Sequence, residues 1–318
     1  MNQAVFSALA PVVLFIFVGF LCGRRGLIRQ SALPDITNLA FLVLTPALLF
    51  RTMSAVHVQQ LDFRPIGIYF AVAAALFAGV CLLRGWNRNG IVLALSATFS
   101  NTTMIGVPLI GLAFGPEGMV LLFTLISVHA FVLLTCATIL LELAVAREDA
   151  AAGRQRQRHM AATVFAAVRS AVLHPVPLPI ILGLLYGLTG LPLPAVLDRS
   201  LEILGSAQVP VALILVGLTL AFARVGEQVR GALAVSSLKI VVHPLAMLAV
   251  GTLTGLPGTT LAVMVVTAGL PIGANVFLFS QRYRVAEAVV TASVAVSTIL
   301  AAVTLPALLL FVAHLTKH

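Results

Sequence analysis

Apolar runs of at least about 18 residues, the length at which a helix crosses a bilayer, recur along almost the whole of this 318-residue chain. Ten can be drawn, near 4–23, 33–54, 65–84, 89–113, 117–145, 171–190, 196–222, 231–254, 258–281 and 285–314. A soluble domain carries about 25% charged residues; this chain carries 9%, with a mean hydropathy of +1.11. The expected class is an all-α integral membrane protein with ten transmembrane helices. Only 147–170 reads as a long polar stretch, a basic cytoplasmic linker. The apolar run near the N-terminus is preceded by the uncharged Asn2 and Gln3 and followed by Arg24 and Arg25. It carries no convincing A-x-A cleavage site and reads as a retained span.

Two of these runs are interrupted near mid-depth, by NTTMIGVP from Asn101 to Pro108 and by GLPIGAN from Gly269 to Asn275. A broken helix frees backbone groups that lipid cannot satisfy, so both breaks must be buried in protein or line a cavity. Pro108 lacks an N–H and clashes with the carbonyl four residues back, while Gly106 tolerates unwound dihedrals. The fourth span is therefore expected to open just before Pro108, and Pro271 and Gly273 are expected to act alike in the ninth. Downstream of each break a half-helix begins, whose unpaired N–H groups and positive end attract an anion. Asn101, Thr102, Thr103 and Asn275 add side-chain donors and acceptors. Pairs of broken spans mark transporter binding sites.

Internal similarity links the two halves. The segment VGFLCGRRGL from Val18 lies 164 residues before LGLLYGLTGL from Leu182, matching at three glycines and two leucines, and Pro46 meets Pro210 at the same offset. Matching spans one and two with six and seven gives a five-helix repeat, residues 1–146 and 171–318. Five is odd, so the second copy enters the membrane inverted. The broken spans, fourth and ninth, become counterparts.

The net charge of +9 follows from topology and not from nucleic-acid binding. If the linker is cytoplasmic, fourteen of the nineteen basic residues fall in inside connections, with both termini extracellular or periplasmic. The Arg154–Arg158 cluster then reads as an orientation signal or an anionic-lipid contact. Cys22, Cys81 and Cys136 lie in different spans without CxxC spacing and form no disulfide framework.

The motif N-T-x-x-x-G-x-P in span four, with L-P-x-G and F-x-F-x-x-x-Y-x-V between Leu270 and Val285, resembles the auxin efflux carrier family, which includes plant auxin exporters and bacterial carriers of the malonate permease type. The resemblance covers nearly the whole chain. It implies a five-plus-five inverted repeat with spans four and nine crossing at their prolines. It also implies a scaffold of spans one, two, six and seven, commonly dimeric, and a mobile bundle of the other six. Carried over by residue, the crossover maps onto Asn101, Pro108, Pro271 and Asn275. Asn275 matches the bacterial members and departs from the plant exporters.

Other polar positions carry two readings each. Lys239 and His243, spaced i, i+4 before Pro244, share a helix face. Lys239 either offers a counter-charge to a carboxylate or snorkels to the interface; His243 either relays a proton or is bonded within the bundle. His129 and Ser127 face the transport path or pack internally, and Gln208 reaches the crossover or a neighbouring helix. Asp35, Glu117 and Glu287 suit helix starts, and Glu142 lies near an inner end.

These readings predict a secondary transporter of small organic anions, mono- or dicarboxylates, in the bacterial inner membrane. No cofactor is expected, and coupling to protons or sodium stays open. The alternative is a channel-like or sensory protein on the same fold. An enzyme would need a constellation such as H-E-x-x-H or a paired-aspartate site, and neither occurs.

Overall fold

The computed structural model describes residues 2–56, 62–151, 165, 169, 176–222 and 228–313. The Arg154–Arg158 cluster and most of the predicted linker lie outside the described residues. Among the described residues the chain is helical except for turns and one isolated bridge. The helices are α1 (Asn2–Arg24), α2 (Gln30–Ser54), α3 (Arg64–Arg84), α4 (Arg88–Thr98), α5 (Val107–Ala151), α6 (Pro177–Gly187), α7 (Ala195–Phe222), α8 (Val229–Leu253), α9 (Gly258–Ala268), α10 (Asn275–Tyr283) and α11 (Glu287–Val312). Among the described residues, six helical runs are long and apolar enough to cross a membrane: α2, α3, α7, α8, α11 and Thr102–Ala151. Shorter apolar helices accompany them. Within α5 the chain turns at Gly115, whose φ of 61° and ψ of −154° only glycine adopts readily, and Pro116 starts the next helical run.

Proline shapes three of the helices in the same way. A π-turn ends two residues before Pro46 (Ala40–Leu44), before Pro108 (Thr102–Gly106) and before Pro244 (Leu238–Val242). In each, the residue preceding the proline donates its N–H to the carbonyl five back: Thr45 to Ala40, Val107 to Thr102, His243 to Leu238. Widening the turn relieves the clash between the proline ring and the carbonyl four residues earlier.

Glycines bring two helix pairs into backbone contact. A Cβ on Gly19 would stand 2.1 Å from the Ile214 carbonyl oxygen, and one on Gly217 would stand 2.0 Å from that of Ile16, so α1 and α7 touch main chain to main chain. Gly183 and Gly187 press in the same way on Phe50, Ser54 and Val56 at the end of α2. Between α2 and α7, Arg51 and Asp198 pair, Nε to Oδ1 at 2.7 Å and Nη2 to Oδ2 at 3.1 Å.

The apolar core runs between these helices and the remaining ones, through Leu109, Ile110, Leu122, Phe123, Val263 and Met264. Cys22, Cys81 and Cys136 are all free thiols. Asp35 and Glu287 occupy first helical turns, as expected.

Candidate functional site

The two interrupted segments meet. Ser100 and Ile272 form an antiparallel bridge, in which the Asn101 amide donates to the Pro271 carbonyl (2.9 Å) and the Gly273 amide to the Phe99 carbonyl (3.1 Å). Each segment also packs flat on the other. A Cβ on Gly106 would lie 2.8 Å from Leu270 Cδ1, and one on Gly273 would lie 2.7 Å from Phe99 Cδ1. At Gly273 a larger side chain would meet the Phe99 ring and the Ser100 carbonyl and push the segments apart, whereas at Gly106 the end of the Leu270 side chain would have to move aside.

The sequence placed the first opening just before Pro108, and the structure moves it upstream. The chain leaves the helix at Phe99–Asn101, and Pro108 lies in the second position of α5. The proline's steric demand is met by the π-turn, and the helix restarts at Asn101, whose Oδ1 caps it by accepting from the Met104 amide at 3.3 Å. In the second segment Pro271 itself sits in the unwound stretch.

The backbone groups released by the breaks find side-chain partners, as burial in a membrane protein requires. Following the π pattern, Pro108 would have served the Thr103 carbonyl; Gln208 Nε2 of α7 donates there instead, at 3.3 Å. In an α-helix the residue at 271 would have served the Thr267 carbonyl, and Ser100 Oγ donates to it at 2.9 Å. Tyr69 OH donates in turn to Ser100 Oγ, at 3.0 Å. The Ser297 hydroxyl accepts from the Ile272 amide at 3.1 Å. Lys239 Nζ donates to the Ala268 carbonyl at the end of α9, where the negative end of the helix favours a cation.

Lys239 is wholly buried and does not snorkel, and His243 and Gln208 are buried as completely. Among the described residues, both ring nitrogens of His243, Nε2 of His129 and Oε1 of Gln208 have no hydrogen-bond partner. The Tyr69 ring lies between the two imidazoles, its centroid 5.4 Å from His243 and 6.1 Å from His129. Phe99 also packs on His129, with ring centroids 4.7 Å apart.

Against the crossover lies a cavity of about 180 Å³. At about 30 Å³ of liquid volume per water it has room for roughly six waters or one small organic molecule. Of the predicted site residues, Asn101, Thr102, Thr103, Gly273, Asn275 and His129 line it; Gly106, Pro108, Pro271, Gln208, Lys239 and His243 do not. Asn101 and Asn275 are half-buried, whereas Gly106, Pro108 and Pro271 are buried within the crossing itself. The facing wall comes from α2 and α7, through Thr37, Phe41, Val216 and Thr219. Among the described residues that line the cavity there is no arginine, lysine or carboxylate. A wider vestibule of about 650 Å³ shares Thr219, Ala274, Val294 and Thr298 with this cavity and reaches Gln30, Phe222 and Thr291.

Ser100, Tyr69, Thr267, Thr298 and Ser297 escaped the reading of the sequence. Ser100 adjoins Asn101, and Tyr69 is one of three tyrosines in the chain, so each carried a weak signal. The others look like ordinary hydroxyls bonding within their own helices.

The family model described as "Membrane transport protein" matches residues 4–309, nearly the full chain. The chain belongs to this family, the auxin efflux carrier family. Its relatives in this family match it end to end. The chain is 26% identical over 306 residues to a Rhizobium meliloti (strain 1021) protein named "Putative malonate transporter", covering 94% of this chain and 93% of the relative. It is 25% identical over 310 residues to the Escherichia coli (strain K12) "Uncharacterized transporter YfdV", covering 94% of each. It is 23% identical over 303 residues to an "Uncharacterized transporter" of Methanothermobacter thermautotrophicus, covering 93% of this chain and 94% of the relative. As a carrier-family member it is a multi-pass membrane protein with transport as its general role.

Proposed function

We infer that this chain is a secondary transporter of small organic anions, mono- or dicarboxylates of about malonate size, working by alternating access of the elevator type. The observation that carries the reading is the crossing of the two unwound segments at Ser100 and Ile272 beside a cavity lined by Asn101, Thr102, Thr103, Gly273 and Asn275. Two helices, α5 through its π-turn and α10, begin at that cavity, and their positive ends supply attraction without an arginine. The relative named as a malonate transporter gives the size and charge class.

In this reading the chain has ten spans in two inverted repeats, 1–146 and 171–318, joined by a basic linker. Supporting it, Gly19 and Gly23 press on α7 while their partners at the 164-residue offset, Gly183 and Gly187, press on α2. First helix on second helix, in both directions, is the pattern of an interlocked pair of repeats. The turn glycines at the same offset, Gly26 (φ 70°) and Gly190 (φ 66°), match as well. The elevator component rests on the cavity wall: one side is the crossover, the other is α2 and α7, so sliding one past the other carries the site. The vestibule reaches Gln30, next to Arg29 in a basic connection, and in this reading that mouth faces the cytoplasm. Residence in the bacterial inner membrane, external termini, a homodimer through α1, α2, α6 and α7, and coupling to protons or sodium complete the proposal. The buried Lys239, His243 and His129 are the candidates for coupling.

The test is counterflow in proteoliposomes holding the purified chain. Labelled malonate and a labelled monocarboxylate should show saturable exchange, and Asn101→Ala and Asn275→Ala should remove it while leaving membrane insertion intact. Full exchange in both variants would overturn the site. Conductance without saturation or exchange would overturn the carrier mechanism.

A further inference from the structure

A second crevice, of about 250 Å³, lies between α1 and α11 and is closed at its back by α7 and the π-turn of the first break. The described residues that line it are apolar apart from Thr298. Water gains nothing there, since an apolar cavity of roughly 150 Å³ stays dry and takes up benzene. The α1 side is open to the surroundings, with Val13 53%, Phe17 54% and Phe20 36% exposed. On α11 the lining includes Ala301, Ala302 and Pro306, whose small or compact side chains leave the gap unfilled.

The face of α1 that lines this crevice ends in charge. Phe17, Phe20 and Arg24 are spaced i, i+3, i+7 and fall on one stripe of the helix. Arg24 lies about 6 Å beyond Phe20 along the axis. Arg25 follows it, and both are exposed. An apolar slot leading to exposed guanidinium groups at a helix end fits one class of molecule: a phospholipid with its acyl chain in the slot and its phosphate at the arginines.

We propose that the α1–α11 crevice is a binding site for one anionic phospholipid per chain, its acyl chain between Phe17, Phe20 and Ala302 and its headgroup at Arg24. The site has a functional bearing because it shares Val216 and Thr298 with the crossover cavity and touches Ile105 of the π-turn. Its walls belong to both partners of any movement, α1 and α7 on one side and the crossover and α11 on the other. A chain held there favours the conformation described here. The proposal rests on the membrane-spanning assignment and is independent of which solute is carried.

Native mass spectrometry of the delipidated, full-length protein, titrated with phosphatidylglycerol and phosphatidylcholine of matched chains, tests it. Phosphatidylglycerol should fill one saturable site, about fivefold more tightly than phosphatidylcholine, the size expected of one arginine near an anionic headgroup. Ala302→Trp should remove this site for both lipids, and Arg24→Gln should lower phosphatidylglycerol to the phosphatidylcholine level. A graded distribution without a saturable first lipid, or unchanged stoichiometry in a folded Ala302→Trp protein, overturns the proposal. Should Ala302→Trp not fold, Phe17→Trp in a Trp86→Phe background decides. Its fluorescence should be quenched more by brominated phosphatidylglycerol than by brominated phosphatidylcholine, and equal quenching overturns the site.

Discussion

Gly273 lies flat against the ring of Phe99, with space for no more than a hydrogen: a Cβ would stand 2.7 Å from Cδ1 and 3.2 Å from the Ser100 carbonyl oxygen. The contact holds the second unwound segment at hydrogen-bond distance from the first. Its tightness makes the crossover sensitive to a single methyl group.

Gly273→Ala is therefore expected to separate the Ser100–Ile272 bridge, at about 1–3 kcal/mol for overpacking. The measurement is thermal unfolding in detergent alongside counterflow. Gly79→Ala supplies the contrast, because nothing lies within 4 Å of a Cβ there. In a helix interior that change should stabilise by up to about 1 kcal/mol.

Gln208→Leu should lower stability by about 1–3 kcal/mol, because the buried Thr103 carbonyl loses its donor. An unfolding midpoint equal to that of the parent chain in Gln208→Leu would show that the Thr103 carbonyl finds another donor.

Lys239→Met keeps the volume and removes the donor to Ala268. The buried Ala268 carbonyl is then left unserved, and a destabilisation of about 1–3 kcal/mol is expected. Because Lys239 is fully buried, the difference between the variant and the parent chain should hardly change between low and high salt. Parallel midpoints across a salt series check this.

The Arg51–Asp198 pair gives the opposite expectation. Its side chains are 36% and 39% exposed, so Asp198→Asn should leave the unfolding midpoint nearly where it is in the parent chain and leave transport unchanged. Exchange lost in this variant would mean that the α2–α7 contact takes part in turnover.

Much of the site was legible because proline, glycine and asparagine inside an apolar run have few physical explanations. Asn101, Thr102, Thr103, Gly273 and Asn275 all line the cavity. Pro108 misled on position: its clash is absorbed by a π-turn, so the chain unwinds at Phe99–Asn101 instead. Lys239 and His243 look alike in sequence as ionisable residues at depth. In the fold, the lysine caps α9 and the imidazole stands unpartnered beside Tyr69.

By itself the sequence determined that the chain is an apolar, helical membrane protein with two interrupted segments, because hydropathy, proline and glycine act locally. Which groups close the interruptions was decided only in three dimensions. Ser100 serves Thr267, 167 residues away, and Gln208 serves Thr103, 105 residues away. A freed carbonyl in an apolar interior must take a donor from whatever helix lies beside it, and no local pattern encodes which one that is.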